Sequence, residues 1–127
     1  AKLAGNQMIA TAVAAMTECF GLAQAHGVDP RLLHAVVTGK LFRGPVYEGV
    51  GRVIAGAVPP PPEPGFTLRL GLKDVTLCAQ AAAAVSHPMP VADAVRARLD
   101  GAVVAGHGDR DWAELPQCLS TRPVQGP

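Results

Sequence analysis

Aromatic residues are scarce in this chain. One Trp, one Tyr and three Phe make up 4% of 127 residues, against 49% hydrophobic residues overall. The core must then be built from Ala, Val and Leu, which suits close helix packing better than an aromatic-rich sheet sandwich. Cysteine is scarce too. Cys19, Cys78 and Cys118 lie far apart, form no CxxC pair and are odd in number. That argues against a disulfide framework or a zinc site and points to a reducing, cytoplasmic compartment. His26, His34, His87 and His107 show no metal-ligand spacing, so no metal is expected. Charge is sparse and balanced, at 17% with a formal net of +1. The basic residues are scattered and not interleaved with aromatics, so no nucleic-acid partner is expected. The apolar start is interrupted by Gln7, Thr11, Thr17, Glu18 and Gln24, and no basic segment precedes it. It reads as neither a membrane span nor a signal peptide. No run of period-two strands, internal repeat or glycine-rich strand-to-helix fingerprint is present, so the chain supplies no dinucleotide fold of its own.

What is present is helix. Residues 2 to about 26 are dominated by good helix formers, and Leu3, Ile9, Val13, Met16, Phe20 and Leu22 recur near helical spacing. Gly27 stops this helix, and Asp29 and Pro30 cap and open a shorter one ending near Gly39. Residues 45–56 read as a weak helix with irregular ends, because Gly44, Gly49, Gly51 and Gly56 interrupt its apolar positions. PPPPEPG at 59–65 is a stiff extended connector. A second strong helix is expected from Leu70 to Ser86. Its buried side should carry Leu70, Val75, Leu77, Ala81 and Val85, and the alanine run 81–84 should form a smooth packing face. His87-Pro88-Met89-Pro90 stops it. Another helix spans 91 to about 105, with Val95, Leu99, Val103 and Val104, until Gly106-His107-Gly108 breaks it. Asp111 followed by Glu114 resembles a capping box that opens a short last helix through Leu119. The class is all-α: one helical domain over 1–119, with 120–127 as a frayed tail.

Three short pieces carry candidate chemistry. Lys2 and Asn6 share one face of the first helix, being four residues apart. A lysine in a dry cleft loses its proton more easily and can serve as a general acid or base. An asparagine amide offers both a donor and an acceptor for orienting a ligand. Phe66 and the pair Lys73-Asp74 form the second piece, and GHGDRDWAEL at 106–115 the third. Each alone has a plainer reading: Lys2 and Lys73 as solvated side chains, Asp74 as a favourable charge near a helix start, Phe66 as core.

Their order is more specific than any one of them. K-x-x-x-N on a long helix, then F-x-L-x-L-x-x-K-D, then a proline-rich break and G-x-G-D-x-D closely resemble the helical C-terminal domain of the β-hydroxyacid dehydrogenases. This group includes 3-hydroxyisobutyrate dehydrogenase, tartronate semialdehyde reductase and the glyoxylate/succinic semialdehyde reductases. The resemblance implies a bundle like the C-terminal domain of 6-phosphogluconate dehydrogenase-like enzymes, which closes over NAD or NADP held mainly by a Rossmann domain and makes a homodimer. By motif position, Lys2 matches the proton-transferring lysine and Asn6 the residue that fixes substrate and lysine. Lys73 matches a cofactor-facing lysine, Asp74 a polar partner and Phe66 a wall. The implied substrate is a small 3-hydroxy acid or semialdehyde. One departure is Gly5, where the family often has asparagine. The chain begins one residue before Lys2, so the Rossmann half is expected to be missing and the isolated chain inactive. Two other readings remain: the corresponding domain of an imine reductase, which often lacks the lysine, and a non-catalytic helical dimerisation module.

Overall fold

The computed structural model describes residues 1–119, so the expected frayed tail at 120–127 lies outside the described residues. Helix α1, Lys2–Ala25, is the long first helix. Its polar interruptions do not break it, because the Thr11 and Thr17 hydroxyls donate back to the Gln7 and Val13 carbonyls at 2.8 Å. By length and composition α1 could cross a membrane; here Val13, Met16 and Phe20 bury its inner face in the bundle. Gly27, at φ +77°, reverses the chain beyond its end. Helix α2, Pro30–Lys40, starts as its sequence dictates, with the Asp29 carboxylate accepting from the Arg31 N–H at 2.9 Å and Pro30 in the first turn. A π-type turn, Pro45–Val50, runs into the short helix α3, Gly51–Ile54, so the weak helix with irregular ends is present. A Cβ at Gly51 would lie 2.8 Å from the Met16 sulfur and 3.1 Å from the His34 ring, so any larger residue there would have to displace these two side chains. The His34 Nε2 donates to the Tyr47 carbonyl at 2.8 Å and fastens α2 to the same segment.

Helix α4, Leu68–Ala84, differs from the expectation in start and orientation. It begins two residues earlier, capped by the Thr67 hydroxyl, which accepts from the Leu70 N–H at 3.2 Å. Its buried stripe is Leu68, Gly71, Val75 and Cys78. Leu70, Leu77 and Val85 are exposed, at 46%, 39% and 75%, and Ala81 is exposed as well. Among the described residues, the alanine run 81–84 is therefore largely exposed, with only Ala82 partly buried. The physical reason is Gly71: without a side chain it admits Trp112 and Leu99 to within 3.6 Å of where a Cβ would stand, and this turns the Gly71 side inward. Leucines on both faces of LRLGL hid that choice from periodicity. Helix α5, Pro90–Ala102, buries Val95 and Leu99 and passes into a π-type turn, Val103–His107, kinked at Gly106 with φ +96°. Val104 is exposed. Asp111 then caps a 3-10 turn, Trp112–Glu114, which continues into α6, Leu115–Leu119.

Arg98 on α5 donates to Glu18 on α1 at 2.8 Å, and Thr11 and Pro90 line the same groove between these two helices. Helix α4 packs against both of them. Leu68, Leu99, Leu115, Val13 and Val75 are the fully buried centre where α1, α4, α5 and α6 meet.

Candidate functional site

The packing of α1 against α4 brings two of the sequence pieces together. The Asn6 Nδ2 donates to the Asp74 Oδ2 at 2.9 Å across 68 residues of sequence. Both residues are half-buried at the α1–α4 seam. A carboxylate acceptor makes this bond stronger than a neutral one and orients the amide. Lys2 lies one turn earlier on the Asn6 face of α1, and Lys73 adjoins Asp74 on α4; both are exposed. The α1–α4 seam thus carries one oriented carboxylate–amide pair, with Lys2 and Lys73 exposed on the same two helices. Exposed Met8, Leu70 and Leu77 lie on the same two helices.

Phe66 is held differently. Its ring packs on Trp112 with centroids 4.4 Å apart, and the Cβ that Gly71 lacks would stand 3.7 Å from it. The structure therefore joins Asn6 to Asp74, leaves Lys2 and Lys73 in solvent beside them, and ties Phe66 to Trp112.

The segment GHGDRDW turns out to be a clasp on the start of α4. The Leu68 and Arg69 N–H groups donate to the Arg110 and Gly108 carbonyls at 2.9 Å, and the Trp112 N–H donates to the Phe66 carbonyl at 3.0 Å. With the Thr67 hydroxyl on Leu70, the first-turn donors of α4 are all satisfied. Asp111 was legible as a cap, and its Oδ1 does accept from the Ala113 N–H at 2.9 Å. Its second set of partners, 45 and 46 residues away, had no sequence signal. Gln7 also escaped notice as more than a polar interruption. It is 4% exposed, directly follows Asn6, and donates to the Thr11 hydroxyl at 3.2 Å, while its Oε1 has no partner among the described residues.

Solved structures share this arrangement of helices. A 3-hydroxyisobutyrate dehydrogenase from Salmonella typhimurium matches with a TM-score of 0.81 at 22% identity, over 91% of this chain and 40% of that one, a likeness of fold. A Mycobacterium tuberculosis 3-hydroxyisobutyrate dehydrogenase, solved with L-serine, matches with a TM-score of 0.81 at 27% identity, over 94% of this chain and 42% of that one. In Bacillus subtilis the uncharacterised oxidoreductase YfjR is 31% identical over 119 residues, which is 94% of this chain. The chain spans 41% of the length of that curated relative. Fold and relatives together place this chain beside the matching parts of proteins described as 3-hydroxyisobutyrate dehydrogenases and oxidoreductases. Residues 1–119 match the family described as NAD-binding of NADP-dependent 3-hydroxyisobutyrate dehydrogenase, and the chain belongs to that family.

Proposed function

We propose that this chain is the substrate-side half of an NAD(P)-dependent 3-hydroxyacid dehydrogenase or semialdehyde reductase. The observation that carries the reading is the Asn6–Asp74 bond, which unites the K-x-x-x-N and K-D pieces at one seam. In this reading Lys2 takes the hydroxyl proton of a small 3-hydroxy acid during oxidation and returns it to the carbonyl oxygen during reduction. Asn6, oriented by Asp74, holds the substrate's polar group against Lys2. Phe66 closes the apolar side. Lys73 faces the cofactor. Its exposed ammonium, with exposed Leu70 and Leu77 on the same helix, fits one cationic contact and an apolar cover. Those residues do not make a phosphate cradle, so a Rossmann partner domain would hold most of the cofactor. NAD(P), when bound, supplies or accepts the hydride.

The same reading makes the protein a cytoplasmic homodimer, and it makes this chain inactive without its cofactor-binding partner domain. Exposed Met8, Leu70 and Leu77 supply apolar surface for that domain to cover. Lys2 favours a hydroxyacid substrate over a cyclic imine. The test is to supply an enzyme containing both halves with an aldehyde acid and with a cyclic imine. Reduction of the aldehyde acid alone is expected; preferential reduction of the imine would replace this reading with an imine reductase.

A further inference from the structure

We infer that Asp111 is a positioning residue for this site: its buried carboxylate fixes the register in which α4 presents Asp74 to Asn6. The importance of that register rests on the reading of the Asn6–Asp74 seam given above. Asp111 is 6% exposed, so its charge needs full pairing. Its two oxygens divide the work. Oδ1 accepts from the Ala113 N–H at 2.9 Å and caps the turn that leads into α6. Oδ2 accepts from the Gly65 N–H at 2.9 Å and the Phe66 N–H at 3.4 Å, the last residue of the proline-rich connector and the one after it. One carboxylate therefore ties the connector's exit to the final helical segment.

This tie lies directly upstream of α4. Thr67 and Asp111 form an isolated antiparallel bridge, and the Leu68 and Arg69 N–H groups are claimed by the Arg110 and Gly108 carbonyls. Leu68 and Gly71 fix α4 sideways through packing, but these first-turn bonds fix its rotation and axial position. Asp74 follows Leu68 by less than two helical turns, too short a span to absorb a shift. A displacement of about 1 Å at the connector would carry a 2.9 Å hydrogen bond beyond bonding range. An asparagine cannot replace the carboxylate. Its amide has one acceptor oxygen, so one of the two sides would meet an N–H with another N–H.

The test needs only this chain and the Asn6 side-chain amide signals in a nitrogen–proton NMR spectrum. Asp74→Ala marks where those signals fall without their acceptor. In Asp111→Asn they are expected to move to those positions. Thr67→Ala removes the α4 cap and lowers stability without touching the Asp111 tie, and it should leave the Asn6 signals in place. A purely structural Asp111 would lower the melting temperature and leave the Asn6 signals of the folded protein unmoved, which would overturn the inference. If Asp111→Asn does not fold, the unmodified chain is titrated with urea below its unfolding transition. Loss of protection at the Gly65 and Phe66 amides should coincide with movement of the Asn6 signals; independent changes would overturn the inference. None of these readouts uses turnover, so failure of the catalytic reading would show separately, as unchanged activity in Lys2→Ala.

Discussion

The Asn6–Asp74 contact is the smallest unit on which the account rests. A double-mutant cycle with Asn6→Ala and Asp74→Ala should give a coupling of about 1 kcal/mol in the unfolding free energy, a charge-assisted bond reduced by partial exposure. Strict additivity would mean that the pair adds nothing in solution. Asp29 offers a second check. The side-chain hydrogen bonds from Arg31, and then the Arg31 N–H, hold its carboxyl below the usual carboxylate range. A depressed folded value means that the contribution is present above the unfolded value, near about 4, and is lost as pH falls through the folded one. The amides of the first α2 turn should accordingly lose protection, relative to their intrinsic exchange, as pH falls below about 4 in the native chain but not in Asp29→Asn. The thiols differ in kind: burial pushes Cys118 up, with Arg110 opposing, whereas Cys19 is exposed. A thiol reagent should label Cys19 rapidly in the native chain, and Cys78 and Cys118 only on unfolding.

At the scale of elements, start and stop signals were the most legible features. Gly27, Asp29-Pro30 and Pro90 mark ends that the structure keeps, because capping and φ restriction act within a few residues. The buried face of α4 was not legible. LRLGL offers leucines to both sides, and the choice is made by Trp112 and Leu99 packing on Gly71, contacts from distant sequence. The Lys2, Asn6, Lys73 and Asp74 constellation was legible as an ordered pattern, and the structure adds the physical contact between its two halves. The clasp of residues 108–112 on α4 was not, since backbone pairing leaves no trace in side-chain periodicity. Its glycines differ in necessity. Gly106→Ala forces a φ near +96° on a residue with a Cβ and should cost about 1–2 kcal/mol. At Gly108 the atoms nearest a Cβ belong to the exposed end of the long Arg69 side chain, at 2.5 Å, which can swing aside, so Gly108→Ala should cost less. Thermal unfolding of the two variants decides the order.

The whole molecule is a helical bundle with one small shared centre and generous exposed apolar surface. Leu99 is 1% exposed between α4, α5 and the last helical segment, and Leu99→Ala should cost about 2–5 kcal/mol by denaturant unfolding. Met8, Leu22, Leu32, Val36, Leu41 and Val104 are each more than 60% exposed, a surface suited to partners. The proposed homodimer predicts sedimentation as a dimer at high concentration; a clean monomer would remove that part of the account. In the proposed chemistry Lys2 moves the proton while Asn6 and Asp74 hold the substrate. The most direct test of this chemistry is kcat for Lys2→Ala in an enzyme that joins this chain to its cofactor-binding half, with a 3-hydroxy acid and NAD(P). A fall of roughly 10²–10⁴-fold is expected for losing a positioned acid–base group. Turnover equal to the unmodified enzyme would contradict the account and leave this domain a structural module.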